Sequence, residues 1–257
     1  MSSRQSAVGS DQQAVGSNEE EEQALGRRSP SADCRLPTAD CILFDLDGTL
    51  IDSIELIVQS FQHATEMHCG RPLPREEIID GIGRSLWAEY ERIMPGRSTE
   101  LVATHRAFTL ANHDAFVTVY PGIVEMLAAI RTRGTPMGIV TSKARLSAAP
   151  SFARFLLDRE MAVVVVEDDT ARHKPHPDPL LHAAAMLDVP PAICWYIGDS
   201  THDMVAARAA GMTGIGAAWG PYDHATLEPL ADAIAETPAD VLALLDASSE
   251  QRANRPK

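Results

Sequence analysis

FDLDGTLIDS, Phe44–Ser53, sets two carboxylates two residues apart at the end of an apolar run and then turns through Gly48. The run itself, CILF at Cys41–Phe44, has no polar interruption, the pattern of a strand buried on both faces. Four further stretches share it: MGIVTS (137–142), AVVVVE (162–167), ICWYIGD (193–199) and TGIGAA (213–218). Helical patterns separate them. PGIVEMLAAIRTRG (121–134) has Pro121 suited to a first turn, Gly134 to a C-terminal stop, and Ile123, Met126, Leu127 and Ile130 on one face. DPLLHAAAMLD (178–188) and DMVAARAAG (203–211) read likewise, and TPADVLALLDA (237–247), capped at Thr237, supplies a closing helix. Short buried strands alternating with helices imply an α/β fold, a doubly wound parallel sheet with helices on both faces.

One segment breaks the alternation. From Ile54 to about Val117 only helical spacing appears, with Ile54, Ile57, Val58, Phe61 and Ala64 on one face and Leu101, His105, Phe108 and Ala115 on another. The expectation is a small helical cap over residues 54–117, inserted after the first strand, on a core made of 38–53 and 118–247. Residues 1–37, rich in Ser, Gln, Gly and Glu, and residues 248–257 read as disordered tails.

Composition narrows the function. Among 257 residues, 36 acidic side chains against 22 basic ones give a formal charge of −14, which repels phosphate backbones and argues against nucleic acid as a partner. The cysteines, Cys34, Cys41, Cys69 and Cys194, form no CxxC pair, so neither a zinc site nor a disulfide framework is implied. No run reaches the roughly 18 apolar residues of a membrane helix and no basic-then-apolar leader opens the chain, so a cytoplasmic protein without membrane contact is expected. The sequence leaves monomer and homodimer equally open.

In an open α/β sheet, ligands bind beyond the carboxyl ends of the strands. Reactive residues stand there four times: Asp45 and Asp47 after the first strand, Thr141 and Ser142 after the second, Lys174 in HKPHPDP beyond the third, and Asp199 with Asp203 after the fourth. Carboxylates gathered this closely repel by about 4 kcal/mol per pair at ~4 Å and an effective dielectric of ~20. A hard cation relieves that repulsion, and a few carboxylates with water and a substrate phosphate is the usual Mg2+ arrangement. Lys174 adds a fixed positive charge, and the hydroxyls can hold phosphate oxygens. The set fits phosphoryl transfer.

DLDGTLIDS, VTS, KPHPDPLL and GDSTHDMVAARAAGM, in this order over about Cys41–Gly220, resemble the four motifs of the haloacid dehalogenase superfamily, in its phosphoglycolate phosphatase-like and β-phosphoglucomutase-like branch. The resemblance implies that fold with a helical cap and assigns roles. Asp45 would be the nucleophile that becomes an aspartyl-phosphate, and Asp47 the acid that protonates the leaving oxygen and then deprotonates water. Asp45, the Asp47 backbone carbonyl and Asp199 would surround Mg2+, with Asp203 orienting that shell. Thr141, Ser142 and Gly48 would contact the phosphoryl group, with Lys174 clamping its charge. Arg84, in the turn GIGRS (81–85), would reach the substrate from the cap.

The implied activity is a Mg2+-dependent phosphatase for a small phosphorylated metabolite, such as phosphoglycolate or a sugar phosphate. A phosphosugar mutase, a pyrophosphatase and a non-catalytic binding protein are the alternatives. Asp47 argues against dehalogenation, because dehalogenases of the family lack an acid there. Thr49 favours hydrolysis over the mutase, which commonly carries Val or another apolar residue at that position. His173, His176, His182 and His202 lack a metal spacing and read as structural or exposed. Asp52 and Ser53 read as caps of the first cap helix, and the indole of Trp219, in AAWGPYDH, as packed beside a turn.

Overall fold

A computed structural model describes residues 36–253, with side chains to residue 250. Most of the segment read as a leading tail, and Cys34 within it, lie outside the described residues. Six parallel strands form one sheet: β1 (Cys41–Phe44), β4 (Met137–Val140), β5 (Val163–Val165), β6 (Cys194–Gly198), β7 (Thr213–Ala217) and β8 (Ala233–Ala235). Their order is β5-β4-β1-β6-β7-β8, so the chain winds outward from β1 to one edge and returns to the other side of β1. Period-two alternation divides each strand between two cores. Ile42, Phe44, Trp195 and Ile197 face one layer with α5 (Ile123–Thr132) and α10 (Pro238–Ala253); Cys41, Leu43, Cys194 and Tyr196 face α7 (Asp178–Met186) and α8 (Thr201–Ala210).

Register explains why the reactive residues meet. Phe44 is level with Ile139 of β4 and with Ile197 of β6. The next residues, Asp45, Val140–Thr141 and Gly198–Asp199, therefore leave the sheet side by side at its carboxyl edge.

Between β1 and β4 the chain forms α1 (Ile54–Cys69), α2 (Arg75–Gly81), α3 (Leu86–Ile93) and α4 (Ser98–Phe116). Val58, Phe61, Ala64, Ile78, Tyr90 and Leu101 give these helices a core of their own. A two-stranded antiparallel ribbon, β2 (Ile51–Asp52) against β3 (Thr118–Val119), joins them to the sheet. The longest helices hold no stretch long and apolar enough to cross a membrane.

Several expectations need correction. Leu36 packs on the sheet core and the Pro37 carbonyl accepts from Trp195 Nε1 at 2.9 Å, so the ordered core starts before residue 38. At the other end, α10 runs to Ala253, six residues past the boundary drawn at 247, with Ser248 buried and donating to the Leu245 carbonyl at 2.9 Å. No Gly or Pro stands between Ala239 and Arg255 to stop it. Thr237 does not cap by accepting: its N–H and hydroxyl both donate to Asp240 Oδ2. α6 (Arg145–Phe155) contains Pro150, which makes the stretch read poorly as helix, yet Ser147, Ala148 and Ser151 are buried, and Ser151 Oγ meets His113 Nε2 of α4 at 2.8 Å. Packing overrides propensity there.

Candidate active site

Beyond β1, β6 and the loop after β5, four buried charges converge. Asp199 and Asp203 are fully buried, and Lys174 and Asp45 are 3 % and 4 % exposed. Lys174 Nζ stands 2.9 Å from Asp45 Oδ1, 2.6 Å from Asp203 Oδ1 and 2.9 Å from the Tyr196 hydroxyl. Asp203 is saturated. Its Oδ1 also accepts from Tyr196, and its Oδ2 accepts from the Ser200 amide and hydroxyl in a capping box at the start of α8. Burial works against ionisation of Asp203, but the Lys174 charge and the Ser200 hydrogen bonds outweigh it and hold this carboxyl below its usual range.

Asp199 is the opposite case. Its Oδ1 accepts from Thr49 Oγ1 at 2.6 Å, while Oδ2, buried, has no partner among the described residues. Burial, then Asp203 and Asp45, push its carboxyl well above the ordinary value, and burial pushes Asp45 up to about 7 against the pull of Lys174. Ligand oxygens of Asp45, Asp199 and Asp203 lie within 4.8 Å of one another. Three carboxylates face one ammonium, and one buried oxygen is orphaned, so the residues fit a divalent hard cation. Asp45 and Asp199 have oxygens to offer; Asp203, with both oxygens engaged, serves through Lys174 and Ser200. Gly48 makes the close approach possible. Its φ is +84°, and a Cβ there would lie 2.4 Å from Asp199 Oδ2.

Asp47 turns away from this cluster. Its Oδ1 accepts from Ser53 Oγ and from Lys143 Nζ, both at 2.5 Å. Ser53, expected to cap α1, therefore binds Asp47 instead, and the N-terminus of α1 takes only a 3.4 Å contact from the Ile54 amide to Asp52 Oδ1. Thr141 Oγ1 accepts from the Lys143 amide at 3.1 Å, which leaves its own proton free to donate. The Gly48 amide is engaged by the Ile51 carbonyl at 2.9 Å, so the turn rather than a ligand uses it. Trp219 is packed as expected, and its Nε1 also donates to the Thr49 carbonyl at 2.9 Å, fixing the same turn.

A cavity of about 100 Å³ lies between sheet edge and cap, with Asp45, Asp47, Thr141, Ser142 and Lys143 on the sheet side and Phe61, Arg84 and His105 on the cap side. Contacts across it are specific. Ser142 Oγ donates to the Gly83 carbonyl at 2.7 Å, so this hydroxyl holds the cap rather than standing free. Arg84 Nε donates to His202 Nε2 at 2.9 Å, while its NH1 donates to the buried Glu89 at 3.1 Å. Burial depresses the His202 pKa to about 4, which keeps that ring an acceptor. Tyr222 Oη donates to the Ile79 carbonyl at 2.8 Å. Gly83, at φ +100°, lies against Ser200, and a Cβ would meet that hydroxyl at 2.6 Å.

Of the residues singled out in the sequence, Asp45, Lys174, Asp199 and Asp203 form one buried cluster, and Asp47, Thr141, Ser142 and Arg84 line the adjoining cavity. Lys143 was missed. Its signal was present, because it follows the hydroxyl pair at the end of β4 directly.

A doubly wound parallel sheet, capped by helices after its first strand and carrying an acidic cluster at its carboxyl edge, defines a capped α/β enzyme. The model of haloacid dehalogenase-like hydrolases matches residues 42–217, more than half of the chain. The chain belongs to that family. It is 36 % identical over 202 residues to the pyrophosphatase PpaX of Anoxybacillus flavithermus, covering 77 % of this chain and 93 % of that one. The structure of a hydrolase from Pseudomonas syringae aligns with a TM-score of 0.73 at 31 % identity, over 80 % of this chain and 97 % of the other. A protein assigned as a phosphoglycolate phosphatase from Lactobacillus plantarum aligns with a TM-score of 0.73 at 26 % identity, over 80 % and 99 %.

Proposed function

We propose that the protein is a Mg2+-dependent phosphatase that hydrolyses a small phosphorylated metabolite through an aspartyl-phosphate on Asp45. The observation that carries this reading is the division of labour between two carboxylates two residues apart. Asp45 faces Lys174 and the acidic cluster, whereas Asp47 faces Ser53 and Lys143 at the cavity wall. In this reading Asp45 attacks phosphorus in line, the P–O bond to the leaving group breaks, and Asp47 gives that oxygen a proton. Asp47 then takes a proton from the water that attacks the acyl phosphate, releasing phosphate and restoring Asp45. Its observed partners, Ser53 Oγ and Lys143 Nζ, hold this carboxyl at the cavity wall for both transfers.

Asp45 and Asp199, with the Asp47 carbonyl, would hold Mg2+, which when bound offsets the charge of the carboxylates and the phosphoryl oxygens. Lys174 keeps Asp45 oriented, and the free proton of Thr141 is available to a phosphoryl oxygen. Hydrolysis of inorganic pyrophosphate is the second reading, favoured by the 36 % identity to PpaX across 93 % of that protein.

The test is phosphate release over a panel of phosphorylated metabolites and pyrophosphate, with and without Mg2+. Release that needs Mg2+ and disappears in Asp45→Asn is expected. Wild-type turnover by Asp45→Asn would remove the proposed nucleophile.

A further inference from the structure

The cap wall of the cavity holds a hydrogen-bond donor with no acceptor. His105, on α4, is 6 % exposed and stands edge-on to Phe61, with centroids 4.7 Å apart. Its Nδ1 lies 3.0 Å from the hydroxyl of Tyr90, which is fully buried and has no other hydrogen-bond partner among the described residues. A proton on Nδ1 would leave the phenol hydrogen buried without an acceptor, a cost that the other tautomer avoids. Tyr90 therefore donates to Nδ1, and the ring proton stands on Nε2. Among the described residues none accepts from Nε2, and the ring lines the cavity. Burial first, then Lys143 and Arg106, lower the imidazole pKa to about 3, so the ring is a neutral donor at any ordinary pH.

The next residue repeats the pattern. Arg106 lines the same cavity, its Nη2 lies 3.3 Å from Glu167 Oε2 across the cleft, and its buried Nε has no acceptor among the described residues. Asp47, His105 and Arg106 line the same cavity, so a leaving group seated beside Asp47 shares that space with both donors.

We propose that His105 Nε2 and Arg106 bind an anionic oxygen carried by the leaving group, a carboxylate or a second phosphate, and that His105 is a specificity-determining residue. This rests on the phosphatase reading above. A leaving group that ends in an alkyl chain leaves both donors unpaired and is discriminated against for that reason.

The experiment compares phosphoglycolate, inorganic pyrophosphate and ethyl phosphate with Mg2+, in wild type, His105→Phe and His105→Gln. Glutamine can accept from Tyr90 and still present an N–H to the cavity, so it separates the donor from the packing. The ratio of kcat/KM for the preferred anionic substrate to that for ethyl phosphate should fall about 10- to 100-fold in His105→Phe, mainly through KM, and recover in His105→Gln. The substrate whose ratio falls identifies the anion as carboxylate or phosphate. An unchanged ratio, or a wild type that prefers ethyl phosphate, would overturn the proposal. Calorimetric binding of the same three compounds to Asp45→Asn, with and without His105→Phe, decides the point apart from turnover. Binding selectivity that depends on His105 supports the subsite even if no compound is hydrolysed, an outcome that removes only the phosphatase reading. Equal affinities for all three compounds remove the subsite.

Discussion

Replacing Lys174 by Met, a chain of similar length without charge, isolates what one buried ammonium does for this fold. Lys174 Nζ lies 2.9 Å from Asp45 Oδ1 and 2.6 Å from Asp203 Oδ1, and the side chain is almost wholly buried. Its removal leaves two carboxylates in a site where Asp199 already has an unpartnered oxygen. Breaking a buried pair by removing one partner costs about 3–5 kcal/mol, because the remaining charge stays desolvated. For a domain of this size a loss of ~1 kcal/mol lowers Tm by about 2–4 °C, so Lys174→Met should melt roughly 6–20 °C lower. The assays are thermal melting for Tm and urea denaturation for the free energy, both in EDTA near neutral pH, with the urea slope unchanged. Lys174→Met/Asp203→Asn, which removes both partners, should recover part of the loss, giving a coupling of about 0.5–3 kcal/mol. A single variant within ~1 kcal/mol of wild type, or a double variant that loses the sum of the single losses, would refute the view of Lys174 as the counter-charge of the cluster.

Stability of the metal-free protein should depend on pH in a set direction. Asp45, raised by burial to about 7, holds its proton more tightly folded than unfolded, so its stabilisation is complete at acid pH and is lost as pH rises through about 7. Asp199, also raised, acts in the same sense. His105 and His202, lowered by burial from 6.5 to about 3 and about 4, add stability as pH rises to about 6.5, so the fall in the urea midpoint in EDTA should show above about pH 6.5, where Mg2+ should flatten it; a rise between about pH 6.5 and 8 would contradict the assignment. Thr49→Val removes the donor 2.6 Å from Asp199 Oδ1 and should weaken Mg2+ affinity about 10- to 100-fold by calorimetry, whereas unaltered affinity would separate Thr49 from the site.

Local pattern and long-range geometry were legible to different degrees. Strands β1, β4, β5, β6 and β7 could be read because strands buried on both faces must be continuously apolar, and β8, three residues between polar neighbours, gave no such signal. Asp45, Asp199 and Thr141 could be placed because ligands gather where parallel strands end, whatever the register. Ser53 and Ser142 could not, since a serine at an element end caps, binds ligand or clasps another segment with the same chemistry. Only tertiary structure shows Ser53 on Asp47 and Ser142 on the Gly83 carbonyl. Arg84 and His202 lie 118 residues apart, and no periodicity links a cap turn to a core helix.

Charge in the cavity bears on how a chain of −14 would receive an anion. Each cation at the wall is already matched: Lys143 by Asp47, Arg84 by Glu89, and Arg106 by Glu167. What remains is the inner cluster, three carboxylates against Lys174. Burial raises both Asp45 and Asp199, so a phosphorylated ligand entering alone finds no unmatched positive charge in the cluster, and each carboxylate that ionises repels it several-fold more strongly than in water. The wall pairs are unequal, however. Arg92 also donates to Glu89, so that carboxylate has two guanidinium partners, and the Arg106–Glu167 contact at 3.3 Å is long. Burial raises the Glu167 pKa, which weakens its hold on Arg106. The cation most readily redirected to an incoming anion is thus Arg106, next to the neutral donor of His105, and a divalent cation held by the inner cluster would offset the carboxylate charge that an anion meets there.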